Sequence, residues 1–182
     1  MKFRFAGIDS GTRRAGLVYM DYEPGGLLEI SHIEHIRMDL VAWKEATISS
    51  RFQYLFDTLT LSLTLMKPTL VIVEHIRMRG GGRNLDSYVQ SARAQEVAEL
   101  SATHIGIPIV SLLASQVRSR LSIKGKGRVE QKKSTIRRIE LIHQSALREA
   151  GMFPLTPTLD DVADAAALAM MGPTEAKKLN LM

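Results

Sequence analysis

Five acidic residues stand where carboxylates are not needed for folding. Asp9 ends an apolar run near the start of the chain, Glu74 ends Leu70-Val71-Ile72-Val73, and Asp160, Asp161 and Asp164 crowd one short stretch. Period-two alternation puts Leu70, Ile72 and Glu74 on one face of a strand, at a position where an apolar residue would serve. On a helix, Asp161 and Asp164 share a face, as do Asp160 and Asp164, and either pair could share a cation. Each acid also has a plain structural use. Asp9 could cap the Ser10-Gly11-Thr12 turn, Glu74 could reach solvent, and the Asp trio could favour a helix N-terminus. Thr158 and Asp161 have the spacing of a capping box, although capping needs one or two acids and three are present. Burying an ionised carboxylate is costly unless a cation or hydrogen bonds compensate. Taken together, two strand-end acids and a helical pair are what a two-metal phosphodiesterase requires. Such a site holds two divalent ions about 3.5–4 Å apart, one activating water and one stabilising the leaving oxygen.

Composition narrows the choice of metal. There is no cysteine, which excludes disulfides, thiolate sites and thiol nucleophiles. The histidines offer no metal-binding pair on a predicted helix, so the ligands are oxygens, favouring Mg²⁺ or Mn²⁺ over Zn²⁺.

The acids come from distant segments, so the fold must gather them. Phe3 to Asp9, Ala15 to Asp21 and Leu28 to Ile36 read as three strands with short connections, the second turn carrying Pro24-Gly25-Gly26. Ile48, Phe52, Leu55, Leu59, Leu63 and Met66 recur at helical spacing, and Lys67-Pro68 stops that helix. Thr69 to Glu74 reads as a buried strand, Asp86 to Ile105 as a helix with many small residues, and Pro108 to Leu112 as a fifth strand. Arg79 to Arg83 and Ile123 to Gln131 are predicted basic loops. Lys133 to Ala150 and Leu159 to Met171 are predicted helices, with Gly172-Pro173 ending the last before a polar tail. This order describes an α/β fold, a five-stranded mixed sheet with helices on both faces, in which the acids meet only if strands one and four are adjacent.

At 182 residues the chain suits one domain, with a core over about 3–171. Apolar residues make up 45%, and 24 Lys plus Arg against 19 Asp plus Glu leave a formal charge of +5, a weak pointer to nucleic acid. The opening Met1-Lys2-Phe3-Arg4-Phe5 alternates charge and aromatics, unlike a signal peptide, and no run approaches a membrane span. A cytoplasmic, DNA-associated protein without a membrane partner is expected.

Gly7-Ile8-Asp9-Ser10-Gly11-Thr12-Arg13-Arg14-Ala15-Gly16 resembles the first motif of RuvC-type Holliday junction resolvases, and Val71-Ile72-Val73-Glu74 the second. Gln90-Ser91-Ala92-Arg93 is similar to the family's central helix. Gln116-Val117-Arg118, the Gly125 to Gly127 loop and Lys133-Ser134 resemble its basic segment, and Asp161 to Ala169 its closing helix. The resemblance runs in order over residues 3 to 171 and implies an RNase H-like fold. It also implies a homodimer that cuts four-way or other branched DNA with Mg²⁺, leaving 5′-phosphate and 3′-hydroxyl ends.

Asp9, Glu74, Asp161 and Asp164 then match the four metal ligands, and Lys133, beside Lys132, matches a basic residue near the scissile phosphate. Candidate DNA contacts are Arg13, Arg14, Arg77, Arg79 and Arg83 in the first half of the chain. Arg118, Lys124, Lys126, Arg128 and Lys132 are those in the second. Where the family often carries an aromatic residue after the second motif, this chain has His75-Ile76-Arg77-Met78, so Arg77 becomes the candidate for stacking at the branch. The small residues Ala94, Ala98 and Ser101 offer a dimer surface or a face packed on the protein's own sheet. Beside a nuclease of the same type acting mainly on RNA or single strands, two functions of other classes remain. One is a catalytically silent module that binds branched nucleic acid. The other is an actin-like phosphotransferase, whose phosphate motif Gly7 to Thr12 also resembles. Against the latter, the chain is short for two such domains and shows no second Gly-rich loop.

Overall fold

The computed structural model describes residues 1–39, 45–77 and 85–182. Arg79 and Arg83, with Met78, lie outside the described residues. The chain runs β1 (Phe3–Ser10), β2 (Arg14–Tyr22), β3 (Leu28–Arg37), α1 (Ile48–Met66), β4 (Leu70–Glu74), α2 (Leu85–His104) and β5 (Ile109–Leu112). It continues through α3 (Ala114–Arg120), α4 (Arg128–Glu149), a 3₁₀ turn (Pro157–Leu159), α5 (Asp160–Ala169) and α6 (Gly172–Lys178). The sheet order is β3-β2-β1-β4-β5, with β1, β2 and β3 antiparallel and β4 and β5 parallel to β1. The expected mixed sheet is present, with β1 and β4 adjacent. No helix among the described residues is long and apolar enough to cross a membrane.

Alternation along the strands sorts the side chains into two cores. Ala6, Ile8, Leu17, Tyr19, Val71 and Val73 pack with Leu55, Leu59 and Leu63 of α1 and Ala94, Ala98 and Ala102 of α2. Phe3, Phe5, Val18, Met20, Leu70 and Ile72 face the other way, toward α3 to α6. The small residues of α2 are therefore buried against their own sheet and α1. Ala94, Ala98 and Ser101 are inaccessible and cannot form the dimer surface considered above.

Three helical segments depart from expectation. The stretch containing Arg118 forms α3, which is too short and has only Val117 buried, so it leaves no periodic signal. Helix α4 begins at Arg128, five residues before the expected Lys133, with Glu130 accepting a 2.7 Å hydrogen bond from Lys126 N–H at its start. Gly172-Pro173 opens α6 instead of ending the chain's helices, because proline is tolerated in a first turn, where its missing N–H has no partner to lose. Ala176 of α6 is buried, and Glu175 pairs with Arg120 and Lys178.

Helix α5 lies unusually close to the sheet. A Cβ on Gly7 would sit 2.0 Å from the Ala165 carbonyl oxygen and 2.4 Å from Ala169 N, and one on Gly16 would sit 2.2 Å from the Asp161 carbonyl oxygen. The clashing atoms are backbone, so no rotamer change relieves them. Gly7→Ala must displace α5, an overpacking that costs about 3 kcal/mol. For a chain of this size that lowers Tm by roughly 6–12 °C. A thermal melt within about 2 °C of wild type would show that α5 does not need this close seat.

Candidate active site

The odd positions of β1 put Asp9 on the α5 face, in line with Phe3, Phe5 and Gly7, and the even positions of β4 put Glu74 on the same face. Ile8 pairs with Val73, and Asp9 and Glu74 are the next residues of these parallel strands. On its other side Asp9 pairs with Gly16, and Gly16 pairs with His35 of β3. A row of Glu74, Asp9, Gly16 and His35 thus crosses four strands on one face. The first turn of α5 comes down over the gap at Gly16, with Asp161 above it and Asp164 one turn further on.

The structural uses open to these acids are not the ones observed. Helix α5 is capped by Leu159 with no side-chain hydrogen bond, so Thr158 and Asp161 form no capping box. Instead Asp161 Oδ2 lies 3.0 Å from His35 Nε2, and Asp161 Oδ1 accepts a 3.0 Å hydrogen bond from Val162 N–H. Among the described residues nothing donates a hydrogen bond to Asp9. Its pKa is pushed well above the usual carboxylate range, first by burial and then by the charges of Asp164, Glu74 and Asp161, with Lys132 opposing. Asp164 is pushed up to about 6, chiefly by burial and further by Glu74 and Asp160, while Lys132 and Arg118 pull it down. Four carboxylates around one cleft, Asp9 and Asp164 among them with raised pKa values, form an oxygen donor set suited to divalent cations. Among the described residues no three His, Asp or Glu side chains are closed around one point as a ready cage.

The cleft has a volume of about 1170 Å³. Its rim carries Arg13, Arg14, Arg77, Arg118, Arg128 and Lys132 together with the acids. Lys124 and Lys126 are exposed on the loop before α4 and do not line it. Lys133, the expected active-site lysine, is exposed and lies outside the lining as well. Lys132 takes its place, paired with Asp160 and 4.0 Å from Asp164 Oδ2. The cause is helical phase: once α4 starts at Arg128, residues 128, 131, 132 and 135 share the cleft face, and 133 is turned away by about 100°. Asp160 also lies 3.8 Å from Arg14, whose guanidinium donates to the Thr158 carbonyl at 2.7 Å.

Two features of the site carry no sequence signal of their own. One is His35, whose partner is 126 residues away. The other is the support for the segment after Glu74. His75 N–H donates to Leu112 O at 2.8 Å, and Ile76 N–H to Gln95 Oε1 at 2.7 Å. Gln95 in turn donates to Glu99, which also accepts from Ser111. Tyr88, near the start of α2, lines the cleft too and brings an aromatic ring that the stretch after Glu74 lacks.

The family described as crossover junction endodeoxyribonuclease RuvC matches residues 5–172. The protein of that name from Xanthomonas axonopodis pv. citri (strain 306) is 25% identical over 168 residues, covering 92% of this chain and 85% of its own. That from Salinispora arenicola (strain CNS-205) is 26% identical over 167 residues, covering 92% and 85%. Among solved structures, T. thermophilus RuvC in complex with Holliday junction substrate superposes with a TM-score of 0.71 at 18% identity, over 97% of this chain and 96% of that one. The yeast mitochondrial Holliday junction resolvase Ydc2 superposes with a TM-score of 0.62 at 20% identity, over 92% and 76%. At these identities the structures speak for the fold, which is RNase H-like as expected.

The raised pKa values give a stability signature. Asp9 and Asp164 hold protons more tightly folded than unfolded, so their contribution is most favourable below about pH 4 and is lost as pH rises through the folded values. In EDTA, Asp164→Asn should therefore gain stability relative to wild type as pH goes from 4.5 to 7.5, by on the order of 2–3 kcal/mol. Added Mg²⁺ should stabilise wild type at pH 7.5 and the mutant much less. Parallel Tm-against-pH curves for the two proteins would contradict this.

Proposed function

The chain belongs to the RuvC family of crossover junction endodeoxyribonucleases, and from that premise we propose that it is a divalent-metal-dependent endonuclease that cuts Holliday junctions as a homodimer. The observation that carries this reading is the meeting of Asp9, Glu74, Asp161 and Asp164, from β1, β4 and α5, on one cleft rimmed by arginines and Lys132.

These four carboxylates would hold two Mg²⁺ or Mn²⁺ ions. When bound, the ions supply an activated water and stabilisation of the leaving oxygen. The remaining work falls to side chains of the chain. Lys132, close to Asp164, is placed to meet a phosphate brought to the acids and to offset the charge that grows on it. Arg13, Arg14 and Arg128 extend from the two sides of the cleft and suit bidentate contacts with the phosphates flanking the cut. Arg118 lies within electrostatic reach of Asp164, whose pKa it lowers. Arg77 and Tyr88 offer a guanidinium plane and a ring to exposed base faces at a branch.

Symmetric cutting of a two-fold junction calls for two-fold protein symmetry. With the small residues of α2 buried, the exposed apolar side chains open to a second copy include Leu61, Leu65 and Leu100 of α1 and α2, 62%, 71% and 59% exposed, and Val129 and Leu141 of α4, 69% and 77% exposed. Sedimentation at micromolar concentration should show a dimer, with or without DNA. A monomer under both conditions would remove the symmetric-cutting part of the proposal.

The activity test compares a four-way junction, a Y-fork, a linear duplex and an RNA–DNA hybrid in Mg²⁺, with the junction expected to be cut fastest. Asp9→Asn, Glu74→Gln, Asp161→Asn and Asp164→Asn should each nearly abolish cleavage while leaving junction binding intact or tighter. Lys132→Ala should slow single-turnover cleavage by about 10²–10³-fold with a smaller effect on binding. Lys133→Ala should cleave close to wild type. Near-normal cleavage by any two of the acid variants would refute the site.

A further inference from the structure

We propose that His35 is a positioning residue for metal binding: by donating a hydrogen bond to Asp161 it holds that carboxylate in the orientation a divalent cation requires. The proposal rests on the metal-dependent reading above and deepens it.

Three independent features converge on this contact. The first is the contact itself. His35 Nε2 and Asp161 Oδ2 are 3.0 Å apart, and each side chain is only 9% exposed. An ionised carboxylate only accepts, so the imidazole nitrogen facing it carries the hydrogen. The second is the seat. Gly16, the cross-strand partner of His35, is the position over which the Asp161 backbone rests, and a Cβ there would meet that backbone at 2.2 Å. The same strand pair thus clears space for the Asp161 main chain and supplies the donor for its side chain.

The third is a β-bulge. Near the turn the β2–β3 register pairs Met20 with Ile30, but beyond it Tyr19 pairs with His32, leaving Ser31 as the extra residue. Ser31 Oγ donates to Tyr19 O at 3.4 Å at that point. Without the bulge, Gly16 would face Glu34, and a second carboxylate would lie against Asp161. With it, Glu34 turns to the opposite face and accepts from Ser62 of α1, and His35 takes the place beside Asp161. Bulges recur next to active sites because they re-aim side chains in this way.

The choice of donor has chemical sense. Asp160, one residue earlier, is held by the ammonium of Lys132 and the guanidinium of Arg14, full charges that compete with a cation. Asp161 is held on Oδ1 by the Val162 amide and on Oδ2 by an imidazole. Both oxygens are fixed while further lone pairs stay open. Partners that orient a ligating group in this manner typically alter metal affinity 10–100-fold when removed.

The test uses the full chain and Mn²⁺ as the probe, with affinity measured by calorimetry in the absence of DNA. His35→Ala should weaken Mn²⁺ binding about 10–100-fold and move the Mg²⁺ midpoint of junction cleavage upward by a similar factor. His35→Gln, whose amide N–H reaches the position of Nε2, should recover most of both losses. His35→Phe fills the volume without a donor and should behave like the alanine variant, which keeps the test valid if His35→Ala folds poorly. If His35→Ala and His35→Phe lower Tm but bind Mn²⁺ as wild type does, the contact only ties β3 to α5 and the proposal is overturned. If wild type itself binds no Mn²⁺ and cuts no junction, the metal-dependent reading fails and this proposal falls with it.

Discussion

Helix α5 can approach the sheet only where side chains are absent, and the rest of the site follows from that. Gly7 and Gly16 open a slot under α5, and the helix answers with Ala163, Ala165, Ala166, Ala167 and Ala169. Small residues on both sides bring main chain against main chain, which lowers Asp161 and Asp164 to the level of Asp9 and Glu74. Alanine buries little apolar surface, so this contact does not hold itself together. The large residues around it do so: Phe3, Phe5, Met20, Leu70 and Ile72 from the strands, with Leu168 and Met171 from the helical layer. Active-site geometry is thus set by a thin patch of small residues clamped inside a core of large ones.

That geometry concentrates negative charge in a place where water cannot screen it well. Burial is the largest cause raising both Asp9 and Asp164, and neighbouring carboxylates add to it. Structural acids do not accumulate like this, because each further carboxylate raises the free energy of the folded state. Asp160 accounts for the third acid of the trio. It lines the same cleft but is paired with Lys132 and Arg14, so it holds cationic side chains beside the other acids. All three acids line the cleft, one of them paired with cations of the protein.

Much of this was legible from residue types and alternation. The strands follow from period two, and the acids stand out through the mismatch between buried strand ends and carboxylates, while the adjacency of β1 and β4 that lets them meet is a condition the sequence states and the structure meets. Family resemblance supplied the choice of Asp161 and Asp164 over Asp160. What escaped depended on phase or on long-range contact. Gly125 and Gly127 disguise the start of α4, and with it the lysine that enters the cleft. Gly172-Pro173 reads as a stop although proline is at home in a first turn. The small residues of α2 had two readings, and only the position of α1 decided between them. His35 pairs across 126 residues, beyond any local pattern.

The two one-residue ambiguities have the same origin. Lys132 and Lys133 are chemically equivalent neighbours on a helix, and Glu34 and His35 are adjacent polar residues on a strand, so residue type cannot choose within either pair. Backbone phase chooses, through the first turn of α4 in one case and the extra Ser31 in the other. The consequence is clearer for β3. It is an edge strand, and the register of an edge strand is fixed from one side only. Here regular pairing of Ser31 with Tyr19, in place of the bulge, would slide Glu34 into line with Gly16 and bring a carboxylate against Asp161. It would also remove the carboxylate that Ser62 and, through it, Tyr19 rely on at the opposite face. An edge strand far from the metal ligands in sequence is thereby held to one register by the charge it must not present to them.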